Sequence, residues 1–119
     1  MNSDRVFEYP FGDIYRLYLA KVERKGHTRD ELDTVLSWLT GYTASELADD
    51  ATAALTLREF FTQAPALNPN RELITGVICG VRVEDIDDTL MREIRYMDKV
   101  VDELARGKKI ASIMRAPRS

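Results

Sequence analysis

Residues 28–47, TRDELDTVLSWLTGYTASEL, contain the pattern that decides the fold. Thr28 and Glu31 have the spacing of a capping box, in which each side chain binds the backbone N–H of the other residue at a helix start. Apolar residues then recur at helical spacing until Gly41, a residue typical of helix ends. The segment therefore predicts a well-defined helix that ends at Gly41.

Two more capping boxes follow within a short distance. Thr43 with Glu46 predicts a short helix through Leu47, and Thr56 with Glu59 predicts another helix after it. Three such boxes in one short chain indicate that the protein is largely helical.

A helix is also predicted before this segment. Asp13 is expected to be its N-cap, and the helix runs to about Arg24 with Gly26 as the stop. Residues 1–9 are expected to form a loose lead-in. The apolar stripe of this helix is predicted to consist of Ile14, Leu17, Tyr18 and Val22.

The last long helix is predicted to begin at Asp87 or Asp88 and to run to about Arg106. Its apolar residues recur at intervals of four and three, which is a heptad seam. Gly107 then ends the helix, a final turn follows, and residues 116–119 are expected to be a frayed tail. The seam residues are Leu90, Ile94, Met97, Val101 and Leu104.

Residues 73–83 are compatible with two structures. Their apolar residues lie on one helical face, yet Val77, Cys79 and Val81 also alternate as in a strand. Gly76 and Gly80 weaken both interpretations. We favour a buried helix with a short extended end, and a short strand pair is the alternative.

Composition indicates one globular domain over residues 1–119. The chain is 45% hydrophobic and 31% charged, which is an ordinary balance for a protein with a core. A lone cysteine suits a reducing compartment, the N-terminus lacks the features of a signal peptide, and no apolar stretch approaches a membrane span. We expect a cytoplasmic protein without a membrane segment.

Metal and thiol chemistry have little support in the sequence. His27 is the only histidine, so it is expected to be a turn residue and no metal site is predicted. Cys79 lies in an apolar run and is expected to be a buried core thiol rather than a nucleophile. The acidic residues between Glu84 and Asp88 lack the order of a calcium loop, and we interpret them as the approach to a helix N-terminus.

Nucleic-acid binding ranks third among the function classes. Residues 36–43 join two helices by a short turn, as in a helix-turn-helix. The following helix, however, carries Glu46, Asp49 and Asp50 without a basic residue, and the net charge is −3. No phosphate loop or dinucleotide fingerprint is present, so no cofactor is predicted and the sequence leaves open whether the chain is an enzyme.

Two further hypotheses concern binding surfaces. The heptad seam, Leu90 to Leu104, is expected to pack against the protein's own helices, and its alternative use is a homodimer or protein-partner interface. A small-molecule or enzymatic pocket would use polar and amphipathic residues that could converge beside the core. The candidate pocket residues are Trp38, Tyr42, Asn68, Arg71, Arg82 and Tyr96.

Three stretches carry a resemblance to a known family. They are WLTGY at residues 38–42, LNPNRELITGVICGVRVEDIDD at 67–88 and MREIRYMDKVVDELARGK at 91–108. Over about residues 6–115, the chain resembles the bacterial domain of unknown function numbered 2200. The resemblance implies a stand-alone bacterial cytosolic protein, and it implies neither an activity nor catalytic residues.

The sequence as a whole predicts an all-α fold of about five helices around one core, with α+β as the alternative if residues 73–83 form strands. Its leading functional interpretation is a small interaction or regulatory module that could form a homodimer. A small-molecule-binding or enzymatic domain is the alternative.

Overall fold

A computed structural model describes residues 3–116, with side chains from Arg5 onward. Six α-helices and one two-stranded antiparallel sheet account for the architecture of this part of the chain, which confirms the predicted helical fold class. The elements are α1 (Phe11–Arg24), α2 (Arg29–Thr40), α3 (Ala44–Thr52), α4 (Leu57–Thr62), β1 (Val77–Ile78), β2 (Val81–Arg82), α5 (Thr89–Ala105) and α6 (Ile110–Ile113). Short 3-10 helices span Ser3–Glu8, Pro69–Leu73 and Val83–Asp85.

All three capping boxes are present. In each, the threonine hydroxyl accepts from the backbone N–H of the glutamate, and the glutamate carboxylate accepts from the threonine N–H. Gly41 follows α2 in a left-handed conformation, with φ of 82°. The prediction for α3 was too short, because this helix continues beyond Leu47 to Thr52.

Helix α1 starts earlier than predicted. It begins at Phe11 after Pro10, and Asp13 lies in the first turn, where its carboxylate pairs with Arg16. The buried stripe is therefore shifted: Tyr15 is buried, whereas Leu17 is 65% exposed. The loose lead-in predicted for residues 1–9 is not observed at Ser3–Glu8, which form a 3-10 helix in which Phe7 is buried. Residues 1–2, and residues 117–119 of the predicted frayed tail, lie outside the described residues.

The preferred interpretation of residues 73–83 was wrong, and the alternative is correct. β1 and β2 form a hairpin in which Val77 pairs with Arg82 and Ile78 with Val81. Gly76 and Gly80 have φ values of 107° and 79°, and the α-helical conformation requires negative φ. The glycines therefore turn the chain instead of packing inside a helix.

The core is a continuous cluster of buried apolar side chains contributed by most elements. Phe60 of α4 stacks on Phe11 of α1 with ring centroids 3.9 Å apart. The ring of Tyr42 also stacks with Phe60, at a centroid distance of 4.7 Å. Gly12 allows α1 to approach α3, because a Cβ there would lie 2.1 Å from the carbonyl oxygen of Ala51. These contacts pack α1 against α4 and α3.

Carboxylates of helix α5 form hydrogen-bonded ion pairs with residues of several other elements. Glu93 binds Arg71 of the preceding 3-10 helix, with Nε 2.8 Å from Oε1. Asp102 accepts from Lys21 of α1 at 3.1 Å. Glu103 binds the guanidinium of Arg115 beyond α6 through two hydrogen bonds of 2.9 and 2.8 Å. Because Asp88 also caps α5, as one of the two predicted N-caps, the helix is anchored along its whole length.

None of the helices in the described part of the chain is both long and apolar enough to cross a membrane. The longest, α5, has seventeen residues and carries charged side chains on several faces.

Candidate functional site

The structure brings three of the six predicted pocket residues together. Nη1 of Arg71 donates to the backbone oxygen of Asn68 at 2.9 Å, and Arg71 and Tyr96 line the same cleft of about 100 Å³. The Arg71 guanidinium also binds Glu93 in this cleft. Both Nε and Nη1 of Arg71 are thus occupied within the chain, and binding at this cleft stays a prediction.

The other three residues lie outside that cleft. The Tyr42 hydroxyl donates to the backbone oxygen of Phe60 at 2.6 Å, so Tyr42 is a buried core residue. Trp38 on α2 is half-buried against the core. Arg82 is exposed on β2, where its Nη1 lies 3.8 Å from Glu84.

The heptad seam of α5 faces the interior of the chain. Ile94, Met97, Val101 and Leu104 are almost completely buried, and Leu90 is half-buried at the edge of the core. Met97 has no exposed surface, so a lysine at this position would disrupt the folded chain. A Met97→Lys variant is therefore unsuitable as a test of dimer formation through the seam. A homodimer through this seam stays a prediction, and the seam residues are not exposed in the folded chain to form such an interface.

A larger pocket lies between α1 and α5. Contacts at Tyr18–Asp98 and Lys21–Asp102 show that the two helices run side by side in the same direction. The pocket has a volume of about 310 Å³, which is at the lower end of the range typical of small-molecule sites. Its walls are mainly apolar and come from Val6, Tyr9, Ile14, Leu57 and Ile94. We refer to it as the α1–α5 pocket.

The polar end of the α1–α5 pocket is built from Tyr18, Arg95 and Asp98. Tyr18 donates its hydroxyl proton to Oδ1 of Asp98. Nη1 of Arg95, one turn earlier on α5, donates to Oδ2 of the same carboxylate at 2.8 Å. Both oxygens of Asp98 are therefore occupied, and the three side chains hold one another in place.

The electrostatics of this end follow from that geometry. Burial, followed by the charge of Asp98, raises the pKa of Tyr18 well above its ordinary value, so the phenol stays protonated and acts as a donor. Burial alone would lower the pKa of Arg95, but the hydrogen bond and charge of Asp98 raise it overall. The polar end of the pocket therefore contains the ion pair of Arg95 and Asp98 next to a neutral phenol.

Cys79 lies beside the same end of the pocket, which corrects the sequence-based expectation. Instead of being buried in the core, Cys79 is exposed in the hairpin turn with a φ of 53°. Nη1 of Arg95 is 3.5 Å from its Sγ, and Sγ is 4.0 Å from Oδ2 of Asp98. The expectation failed because it inferred burial from the apolar run around Cys79, whereas this residue lies in the exposed turn of the hairpin.

Sequence reasoning missed the central residues of this pocket. It assigned Tyr18 to an apolar stripe, and it gave no role to Arg95 or Asp98. The i, i+3 spacing of Arg95 and Asp98 was a detectable signal for a local ion pair. The partnership of Asp98 with Tyr18 spans 80 residues and is visible only in the fold.

Residues 5–115 match a family described as an uncharacterized protein conserved in bacteria, DUF2200. The chain belongs to this family.

A solved structure supports the fold. The crystal structure of uncharacterized protein SP1917 is 45% identical, with a TM-score of 0.89, and the match covers 95% of this chain and 93% of that one. Among curated proteins, none matches this chain. The family and the similar structure therefore establish kinship and fold, and neither assigns a function.

Proposed function

We propose that this protein is a small-molecule-binding module whose site is the α1–α5 pocket. The observation that carries the proposal is the combination of an apolar cavity of about 310 Å³ with a preorganised group of polar side chains at one end. Sites of this kind bury the apolar body of a ligand and use a few fixed polar groups to orient it.

The rigidity of the polar end supports a binding role. Tyr18 is buried and cannot change its partner without leaving Asp98 one hydrogen bond short. Arg95 is held by Asp98 and so presents its remaining donors in a fixed direction. A site that is already formed before binding loses less conformational entropy when the ligand arrives.

The probe for this proposal is 1-octanol, a neutral molecule with an apolar body. Saturation-transfer NMR should show saturable binding to the wild-type protein. Ile14→Trp should abolish it, because Ile14 lines the pocket and an indole there would fill the cavity. Leu17→Trp is the matched control: it adds the same indole one turn further along α1, at a residue that is 65% exposed and does not line the pocket.

The binding of 1-octanol by the two variants decides whether the α1–α5 pocket is the site. Binding that persists in Leu17→Trp and disappears in Ile14→Trp supports the pocket as the site. Equal binding by the wild type and Ile14→Trp, or no binding at all, would overturn the proposal. Circular dichroism of both variants verifies that the helices are intact.

Self-association is a second candidate, favoured by the apolar residues on the hairpin. Val77 is 52% exposed and Val81 is 42% exposed, next to strand edges that no described residue pairs beyond β1 and β2. Two copies could cover these residues by pairing their hairpins. Sedimentation equilibrium should then give a dimer mass for the wild type and a monomer mass for the double variant Val77→Lys and Val81→Lys. A monomeric wild type would exclude this candidate.

We also propose that the protein acts in the cytoplasm. The support is chemical: its lone cysteine is exposed, and exposed free thiols are maintained in reducing compartments. Fractionation of the cells that produce the protein, with detection in the cytosolic fraction, would test this. Recovery mainly with the membrane or extracellular fraction would contradict it.

A further inference from the structure

The unused hydrogen-bonding capacity at the polar end of the α1–α5 pocket differs between its two charged groups. Asp98 accepts the Tyr18 hydroxyl on Oδ1, and it accepts Arg95 Nη1 on Oδ2 with the Cys79 thiol nearby. Each of its oxygens therefore has a donor, and its charge is paired with the guanidinium of Arg95. A cationic ligand would have to compete with Arg95 for this carboxylate.

Arg95 is in the opposite situation. A guanidinium carries five N–H donors. Within residues 5–116, the hydrogen bonds of Arg95 involve Nη1 alone, with Asp98 and Cys79 as partners. Its Nε and Nη2 groups are unoccupied in this part of the chain. Arg95 lines the pocket, and its side chain as a whole is 24% exposed.

We infer that the ligand of this pocket is a small amphipathic anion, a carboxylate with an apolar body. Its carboxylate binds Nε and Nη2 of Arg95, and its apolar body lies against Ile14, Leu57 and Ile94. A guanidinium fork matches the geometry of a carboxylate and binds it through charge-assisted hydrogen bonds. This inference rests on the proposed function and adds the chemical class of the ligand.

The position of Asp98 makes the inference specific. It holds the Nη1 side of the guanidinium, so the planar group is oriented before a ligand binds. Tyr18 in turn fixes Asp98 from α1. Arg95 is therefore the residue that would contact the ligand, whereas Asp98 and Tyr18 are positioning residues.

Three probes of equal chain length test the inference: octanoate, 1-octanol and octylammonium. Their dissociation constants are measured by ligand-observed NMR at pH 7, where the acid and the amine are both charged. For the wild type, octanoate is expected to bind about tenfold more tightly than 1-octanol, because a charge-assisted hydrogen bond adds that much to binding. Octylammonium is expected to bind more weakly than 1-octanol.

Arg95→Gln should remove the tenfold preference for octanoate over 1-octanol, and measurable 1-octanol binding by the variant would show that its cavity is still formed. Arg95→Lys keeps the positive charge and the pairing with Asp98 but loses the planar fork, so it should retain part of the preference. This second variant decides the question if Arg95→Gln does not fold.

The outcomes distinguish this inference from the proposed function. If octanoate and 1-octanol bind the wild type equally, or if octylammonium binds most tightly, the ligand class is overturned and the pocket stands. If none of the three probes binds, the proposed function itself fails. A tenfold preference that survives Arg95→Gln would also overturn the role given to Arg95.

Discussion

Tyr18 donates a hydrogen bond to Asp98, and this contact joins α1 to α5 across 80 residues of sequence. It lies at the edge of the α1–α5 pocket and orients the carboxylate that holds Arg95. One hydrogen bond therefore links the packing of the two helices to the geometry of the candidate site.

Removing this hydroxyl should destabilise the protein. Tyr18→Phe leaves one oxygen of a half-buried carboxylate without its donor, and the expected loss in the free energy of unfolding is about 1–2 kcal/mol. Urea denaturation of the variant and the wild type measures the difference. Tyr9→Phe is the control, because Tyr9 is 46% exposed and its hydroxyl can be solvated. Similar losses in the two variants would contradict this account of the Tyr18 hydroxyl.

The ion pair of Arg71 and Glu93 should contribute strongly to the stability of the fold because Glu93 is buried. Its side chain is 7% exposed, so Arg71→Met leaves a buried carboxylate without its cation, and the expected loss of stability is about 3 kcal/mol. A second change, Glu93→Leu, should recover most of that loss. Arg82→Met is the exposed control, paired only with Glu84 at 3.8 Å, and it should cost less than about 1 kcal/mol. Equal losses of stability in the two arginine variants would show that burial of Glu93 does not determine how much its ion pair contributes.

Gly12 should not tolerate a side chain. The Cβ of Gly12→Ala would meet the Ala51 backbone oxygen at 2.1 Å, so α1 and α3 would have to separate. The expected loss is about 3 kcal/mol, which exceeds the gain in helix propensity from alanine. Gly26→Ala is the control, since its new Cβ meets no atom within 4 Å and only its φ of 85° is unfavourable, at about 1–2 kcal/mol. A stabilised Gly12→Ala in thermal unfolding would contradict the close approach of the helices.

Asp50 should destabilise the protein at neutral pH. Its Oδ2 is buried and has no hydrogen-bond partner within the described chain, and burial, followed by the charges of Glu46 and Asp49, raises the pKa of this carboxyl. The folded state therefore favours the protonated form, whose stabilising contribution is fully present below the ordinary pKa of 3.8 and is lost as pH rises through the raised value. Asp50→Asn is expected to raise the free energy of unfolding at pH 7 by about 1 kcal/mol.

The pH dependence provides the check on Asp50. The gain from Asp50→Asn at pH 7 should shrink toward pH 4, where more of the wild-type carboxyl is protonated in the folded state. Asp49→Asn changes the same charge at an exposed position and should give a smaller gain with a weaker pH dependence. A gain from Asp50→Asn that is constant with pH would mean that the carboxyl titrates normally.

The helices were predictable where their signals are local. The capping boxes at Thr28, Thr43 and Thr56 satisfy backbone groups within three residues, so the sequence contains the whole interaction. The hairpin was harder, because glycine is compatible with both structures until its φ is known. Positive φ at Gly76 and Gly80 decides against the helix, and only the folded backbone shows it.

The candidate site could be predicted only in part. Asn68, Arg71 and Tyr96 were selected for their chemistry and do lie near one another, but Arg71 is paired with Glu93 there. In the sequence, nothing distinguishes Asp98 from other carboxylates on the surface of a helix as a partner of Tyr18. Its role depends on α1 running beside α5 in the same direction, which is a consequence of tertiary packing and not of spacing along the chain.

We propose above that the α1–α5 pocket binds the apolar body of a small molecule. A titration of ¹⁵N-labelled protein with 1-octanol, followed by ¹H–¹⁵N correlation spectra, locates the bound ligand residue by residue. We expect saturable shifts concentrated at the amides of Tyr9, Ile14 and Arg95, and their loss in Ile14→Trp. Shifts that do not saturate, or that concentrate at the cleft of Arg71 and Tyr96, would contradict it.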